Sequence, residues 1–198
     1  MSNKPIIASY IKDQQRVLDL GCGDGELLVY LDKLKQISAY GIELKESHVV
    51  SCIQKGLSVF QGNLDEGLKE FADNSFDVVI LSQTLQQVKE PLKLMNEMCR
   101  VAKIAIVTFP NFAHWTSRLS LIRGHIPKSK ILPYEWYDTP NIRVVSLKSF
   151  QRVCKHENFE ILSKETFVGQ SKLLKKLKFF PNMFSEKGLF VIRKNNKT

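Results

Sequence analysis

VLDLGCGDG, residues 17–25, joins an apolar run to a turn with glycines at 21, 23 and 25. RVLDL (16–20) reads as a buried strand that stops at Gly21, and Glu26 to Leu34 is rich in helix formers. Glycines at such a junction allow a tight turn and let a ligand approach the backbone closely. The helix that follows presents its N-terminal amides to whatever lies above them. In open α/β sheets this is where ligands bind, at the carboxyl ends of strands and near the point where strand order reverses.

The chain alternates outward from this junction. SAYGIEL (38–44) reads as a second strand and Glu46 to Lys55 as a second helix. LSVFQ (57–61) is a third strand. FDVVIL (76–81) is a fourth, apolar on both faces, as a sheet covered on both sides requires. Pro91 opens a helix at a position where its missing N–H is harmless, and Leu92, Met95, Cys99 and Ala102 fall on one expected face. KIAIVTF (103–109) is a fifth strand. This rhythm predicts right-handed βαβ units in a doubly wound, mostly parallel sheet of an α/β protein.

Residues 110–143 break the rhythm with four prolines and the aromatics Trp115, Tyr134, Trp136 and Tyr137. They are expected to form an insertion with a helix near 113–122 and an aromatic loop. Three readings stay open for those rings: a lid over a ligand, an anchor for a protein partner, or packing onto the sheet. Ser146 is a suitable N-cap for LKSFQRVCKHENF, in which Leu147, Phe150 and Cys154 share a face and Asn158 can close the helix. EILSKETFV (160–168) and GLFVIRK (188–194) read as two late strands. The intervening 169–187 reads as a basic excursion, with leucines 173, 174 and 177 and Phe180 at helical spacing among lysines. The whole chain, 1–198, is expected to be one domain.

The chemistry concentrates at the strand ends. Glu43 closes the second strand 20 residues after Gly23 and can accept the hydroxyl protons of a ribose. Its charge would repel a 2′-phosphate, which disfavours NADP. The glycine spacing is G-x-G-x-G and not the G-x-G-x-x-G of dinucleotide folds. Asp19 would repel a pyrophosphate but suits a cationic amino-acid group. Both points favour S-adenosylmethionine (SAM). D-L-G-C-G-D-G with an acidic end to the second strand resembles motifs I and II of class I SAM-dependent methyltransferases. The resemblance covers about 12–168. It implies a seven-stranded Rossmann-like sheet whose last strand is antiparallel, and SAM or S-adenosylhomocysteine as ligand. On that reading Asp19, Gly21, Cys22 and Gly23 lie at the methionine side, and Glu43 and Leu44 at the ribose. Residues after the third and fourth strands, Asn63–Leu64 and Ser82–Gln83, flank the adenine and methionine. Many family members have Asp where this chain has Asn63, whose amide oxygen can still accept a hydrogen bond but lacks the charge, so either adenine binding is weaker or Asp65 substitutes.

A narrower resemblance lies downstream. LSQTLQQV (81–88), TFPNFAHW (108–115) and LPYEWYDTPNIR (132–143) are similar to the MetW family of methionine-biosynthesis proteins. That resemblance implies a role beside homoserine O-acyltransferase, as its partner or activator. The competing reading is a free-standing SAM-dependent methyltransferase acting on a small anionic metabolite, for which Arg118, Arg123 and Arg143 would supply positive charge. Methyl transfer from a sulfonium needs positioning above all, although many acceptors need a general base. His114, Glu135 and Tyr134 are the candidates for it. The structural alternative is that Asn111 and His114 hold the start of the next helix.

Cysteines 22, 52, 99 and 154 show no C-x-x-C spacing, and no histidine motif suggests a metal. No signal-like run or stretch of about 18 apolar residues occurs, so a cytoplasmic protein without a transmembrane segment is expected. The formal charge of +9 invites a nucleic-acid reading. Its distribution argues otherwise. Residues 1–109 carry 12 basic against 14 acidic side chains, and 110–198 carry 17 against 6, a net of −2 and +11. No N-P-P-Y or D-P-P-Y follows the fourth strand, where amino-group base methylases carry it, so a nucleic-acid substrate is disfavoured.

Overall fold

The structure is a computed structural model that describes residues 3–129, 132–168 and 180–195. Seven strands form one sheet: β1 (Arg16–Leu20), β2 (Ser38–Glu43), β3 (Ser58–Gln61), β4 (Phe76–Ser82), β5 (Ala102–Pro110), β6 (Phe159–Val168) and β7 (Ser185–Lys194). Their order is β3-β2-β1-β4-β5-β7-β6. β1 pairs in parallel with both β2 and β4, so strand order reverses between β1 and β4. β7 runs antiparallel to both β5 and β6. The expected α/β architecture and its antiparallel last strand are therefore present. β7 starts three residues earlier than expected, at Ser185, directly after a short helix.

Alternate strand residues feed two apolar layers. Leu18, Leu20, Val79, Leu81, Val107 and Phe190 enter one core, and Val17, Val78, Ile80, Ile106 and Val191 enter the other. Helices α1 (Lys4–Ser9), α2 (Glu26–Lys35) and α3 (Glu46–Gln54) contribute to the second core. Helices α4 (Pro91–Val101) and α6 (Leu147–His156) cover the first. Two further helices are α5 (Trp115–Ile122) and α7 (Pro181–Phe184). Burying each large aliphatic side chain contributes about 1.5–3 kcal/mol, so the two-sided sheet is the main source of stability.

The sequence reading missed α1, whose Ile7 and Ala8 are buried. It also misplaced the inward face of α4. Leu94, Met95, Met98 and Val101 are buried there, whereas Leu92 is exposed and Ala102 already belongs to β5. The α6 reading agrees with the structure. Ser146 Oγ accepts from the Ser149 backbone N–H, and Ser149 Oγ accepts from that of Ser146. Leu147, Phe150 and Cys154 are buried, and Asn158 adopts φ +57° just past the helix. Most of the expected basic excursion, including the leucine–lysine spacing of 172–178, lies outside the described residues.

Gly25 sets the entry to α2. It lies at φ +79°, and a Cβ there would come within 2.3 Å of Leu57 Cδ1 and 3.0 Å of Cys52 Sγ. Gly25→Ala combines left-handed strain with overpacking, and is expected to lower the unfolding free energy by about 2–4 kcal/mol. Urea denaturation measures this, and a loss under about 0.5 kcal/mol would show that the turn relaxes freely.

Candidate functional site

Strand reversal opens a cleft of about 430 Å³ above the carboxyl ends of β1, β2 and β4. The loop after β1 supplies Gly21 and Gly23, the end of β2 supplies Glu43 and Leu44, and the loop after β3 supplies Asn63 and Leu64. Ser82 and Gln83 close it after β4. These eight expected positions are brought together from four separate strand ends. The lining also includes Lys45, His48, Gln87 and Val88, which the sequence reading did not single out. His48 stands one turn into α3, five residues after Glu43, so its place follows from α3 packing beside β2.

The glycine loop is held from below by backbone bonds and from the side by Glu43. The N–H groups of Gly21 and Cys22 donate to Ile42 O at 2.8 and 3.1 Å. Glu43 Oε2 accepts from Gly23 N–H at 2.8 Å, and its Oε1 accepts from Leu44 and Lys45 N–H at 3.0 and 2.9 Å. A carboxylate offers about four acceptor sites, so about one remains for a ligand. On the opposite side, Gly21 sits at φ +70°, and a Cβ on it would meet Thr84 Oγ1 at 3.0 Å. The two loops that frame the cleft approach each other as closely as they do because residue 21 lacks a side chain.

Asp19 occupies a strand position whose neighbours point into the second core. It is only 2% exposed, and its Oδ1 has no partner among the described residues. Burial pushes its carboxyl up from 3.8 to about 7, with a smaller contribution from the nearby charge of Glu43. An orphaned buried acceptor beside a glycine loop suits a cationic group arriving from the cleft. Cys22 behaves differently from the expectation. Its side chain packs into the core, with Sγ 4.0 Å from Cys52 Sγ, and like Asp19 it is absent from the cleft lining. Only its backbone belongs to the loop. The Cys22–Cys52 proximity, across 30 residues, had no signal in the spacing of the cysteines.

Asn63 Oδ1 is already used, accepting from Asp65 N–H at 3.0 Å to cap the short turn Leu64–Glu66. Asp65 also lines the cleft, and one of its oxygens accepts from Lys89 N–H at 2.8 Å. Gln83 adopts φ +58° and is fixed by Thr108, whose Oγ1 accepts from its backbone N–H and from its Nε2 at 3.1 and 3.0 Å.

The three candidates for a general base lie elsewhere. His114 is 9% exposed, its Nδ1 pairs with Thr116 Oγ1 at 2.7 Å, and its Nε2 is buried. Burial holds its imidazole below the ordinary value. Asn111 does hold the start of the insertion: its Oδ1 accepts from Ala113 N–H, and its Nδ2 donates to the carbonyls of Asn182 and Ser185. Tyr134 and Glu135 line a separate groove within the insertion. No described residue of 110–143 lines the cleft. Among the described residues, no group of three or more His, Cys, Asp or Glu side chains is placed to hold a metal, and no helix is long and apolar enough to cross a membrane.

Both the sequence and the fold have counterparts among known proteins. The family model of methionine biosynthesis protein MetW matches residues 2–192. The chain belongs to the MetW family. Membership associates it with methionine biosynthesis. A relative in Rhodopirellula baltica, the bifunctional methionine biosynthesis protein MetXA/MetW, is 33% identical over 161 residues, which are 76% of this chain and 26% of that protein. The chain thus spans about a quarter of the relative's length. Among solved structures, a SAM-dependent methyltransferase from Mesorhizobium loti superposes with a TM-score of 0.70 at 16% identity, covering 97% of each chain. One from Archaeoglobus fulgidus gives 0.69 at 18% identity, covering 96% of this chain and 94% of that one. These likenesses establish the class I methyltransferase fold for this MetW-family chain.

Proposed function

We propose that this MetW-family chain binds SAM in the β1/β4 cleft and acts with homoserine O-acyltransferase as its SAM-responsive partner. The observation that supports the ligand reading is a pair of acidic groups, Glu43 in the cleft lining and Asp19 buried two residues before Gly21 of that lining. Asp19 is a buried carboxyl with an unfilled acceptor, which suits the ammonium of the methionine moiety. Glu43 is fixed by three backbone N–H groups and keeps acceptor capacity for a ribose hydroxyl. Gly21, Gly23 and Leu44 border the same space, with Ser82 and Gln83 opposite. Asn63 spends its amide oxygen on its own turn, so Asp65, with its second oxygen unpartnered among the described residues, takes the adenine amino group beside Leu64. When bound, SAM supplies an electrophilic methyl group.

The partner reading is supported by family membership and by the bifunctional MetXA/MetW relative, whose name places two methionine-biosynthesis functions in one chain. It is favoured over a free-standing methyltransferase because His114, Glu135 and Tyr134 are all absent from the cleft lining. SAM contains the product of the pathway, methionine, so a SAM-binding partner can report end-product level. Such feedback requires different SAM affinities in the free and partner-bound states. Calorimetric titration of SAM into the chain, alone and with purified acyltransferase, is expected to give distinct dissociation constants. Equal constants overturn the regulatory reading, and absence of heat in both titrations overturns the ligand reading.

A further inference from the structure

The segment between β5 and α6 encloses a second groove, of about 300 Å³. Leu132 is buried at its base, whereas Trp136 is 71% and Val144 81% exposed along it. Ile122 and Tyr137 nearby in the segment are equally open to solvent. Single exposed apolar side chains are ordinary, but this many in one short segment mark a binding surface.

The charges around this groove define what can cover it. Its one carboxylate, Glu135, is paired with Lys128. Arg123 and Arg143, which interleave with the groove residues in sequence, meet no carboxylate among the described residues. Residues 110–143 hold five basic side chains against two acidic ones. Exposed Trp and Tyr in a segment that also carries Arg is the composition of energetically dominant interface residues. Charge complementarity selects an acidic occupant. A second copy of this chain would bring the same net-basic segment against itself in a two-fold contact. The aliphatic share of the wall, Leu121, Ile126 and Val144, suits a branched or aromatic side chain better than a stacked base.

We infer that this face docks the acyltransferase, through an acidic stretch of that protein that sets one large apolar side chain into the groove. The inference rests on the partnership proposed above. The location also joins the docking face to the cofactor cleft. The backbone N–H groups of Ile142 and Arg143 donate to Gln86 O at 2.9 and 3.0 Å, and Gln86 Nε2 donates to the carbonyl of Gln83, which lines the cleft. An occupant that shifts residues 142–144 therefore pulls on the loop that borders SAM.

The test measures binding of the full chain to purified acyltransferase in wild-type form and as Trp136→Ala, Arg123→Glu and Leu34→Ala, the last an exposed position on α2. Trp136→Ala is expected to weaken binding about tenfold or more, through faster dissociation. Arg123→Glu is expected to slow association, and added salt to slow that of the wild type. Leu34→Ala is expected to change neither, and all three variants to keep wild-type SAM affinity, which certifies their fold. If the wild type binds and both groove variants bind equally well, the docking face is overturned and the partnership stands. If the wild type does not bind, both are overturned. Sedimentation in which Trp136→Ala abolishes self-association alone would assign the face to a second copy. Binding of a single-stranded RNA oligonucleotide lost only in Trp136→Ala would assign it to nucleic acid. Either result overturns the inference.

Discussion

Asp19→Asn is expected to stabilise the ligand-free chain at pH 8 while weakening SAM binding. The carboxyl rests at 3.8 in an unfolded chain and at about 7 in the folded one, raised first by burial and then by Glu43. Its folded value is the higher one, so its favourable contribution is complete below about pH 4, where both states are protonated. That contribution is lost as pH rises toward 7, because the unfolded chain ionises first. Above pH 7 the folded state carries a buried anion, at a cost of about 4 kcal/mol by the linkage relation. Asparagine fills the same space and never ionises. Urea denaturation should therefore show the variant more stable than wild type at pH 8, by up to that amount, with the gap closing below pH 4. Equal stability at pH 8 would mean that the Asp19 carboxyl is solvated in the free protein. SAM affinity should move the opposite way, since the ammonium loses its counter-charge. Binding to the wild type near pH 6.5 should also release a proton, seen as a calorimetric heat that depends on the buffer.

Glu43→Ala is expected to weaken SAM binding by about 1–3 kcal/mol, through loss of a charged hydrogen bond to the ribose. The structure adds a second consequence. The N–H groups of Gly23, Leu44 and Lys45 lose their acceptor together, so the glycine loop is released from the end of β2. A stability loss of about 1–3 kcal/mol should accompany the loss of affinity. Unchanged SAM affinity would sink the ribose assignment. Because Glu43 also raises the Asp19 carboxyl, the two substitutions should be non-additive, and a double-mutant cycle at pH 8 should return a coupling energy above its error.

The parts of the fold that were legible in the sequence share a cause. β1, β4 and β5 are continuous apolar runs because helices cover both sheet faces, and such runs stand out against the polar turns that end them. The Ser146 cap was legible because capping is local chemistry between residues three apart. The inward face of α4 was not. Met95 lies on both the expected and the observed stripe and Cys99 packs half-buried at the core's margin, but the sheet takes Leu94, Met98 and Val101 and leaves Leu92 exposed. α1 has only 6 residues, too few for a periodic signal.

The site divides in the same way. VLDLGCGDG and Glu43 by themselves pointed to the strand ends where the cleft lies and to the carboxylates beside it, since strand, glycine turn and acidic strand end occur within 27 residues of chain. Only the tertiary structure decided what those groups are free to do. Strand reversal between β1 and β4 brings Ser82 and Gln83 to the cleft, and the packing of α3 beside β2 brings His48 there. Packing turns Cys22 toward Cys52 and buries Asp19 until its ionisation is costly. In the aromatic insertion, readable as lid, anchor or packing, Tyr134, Trp136 and Tyr137 are left open to solvent, and no described residue of 110–143 lines the cleft. Spacing along the chain records local geometry, whereas burial and exposure depend on which distant segments arrive, and those contacts are set only when the sheet closes.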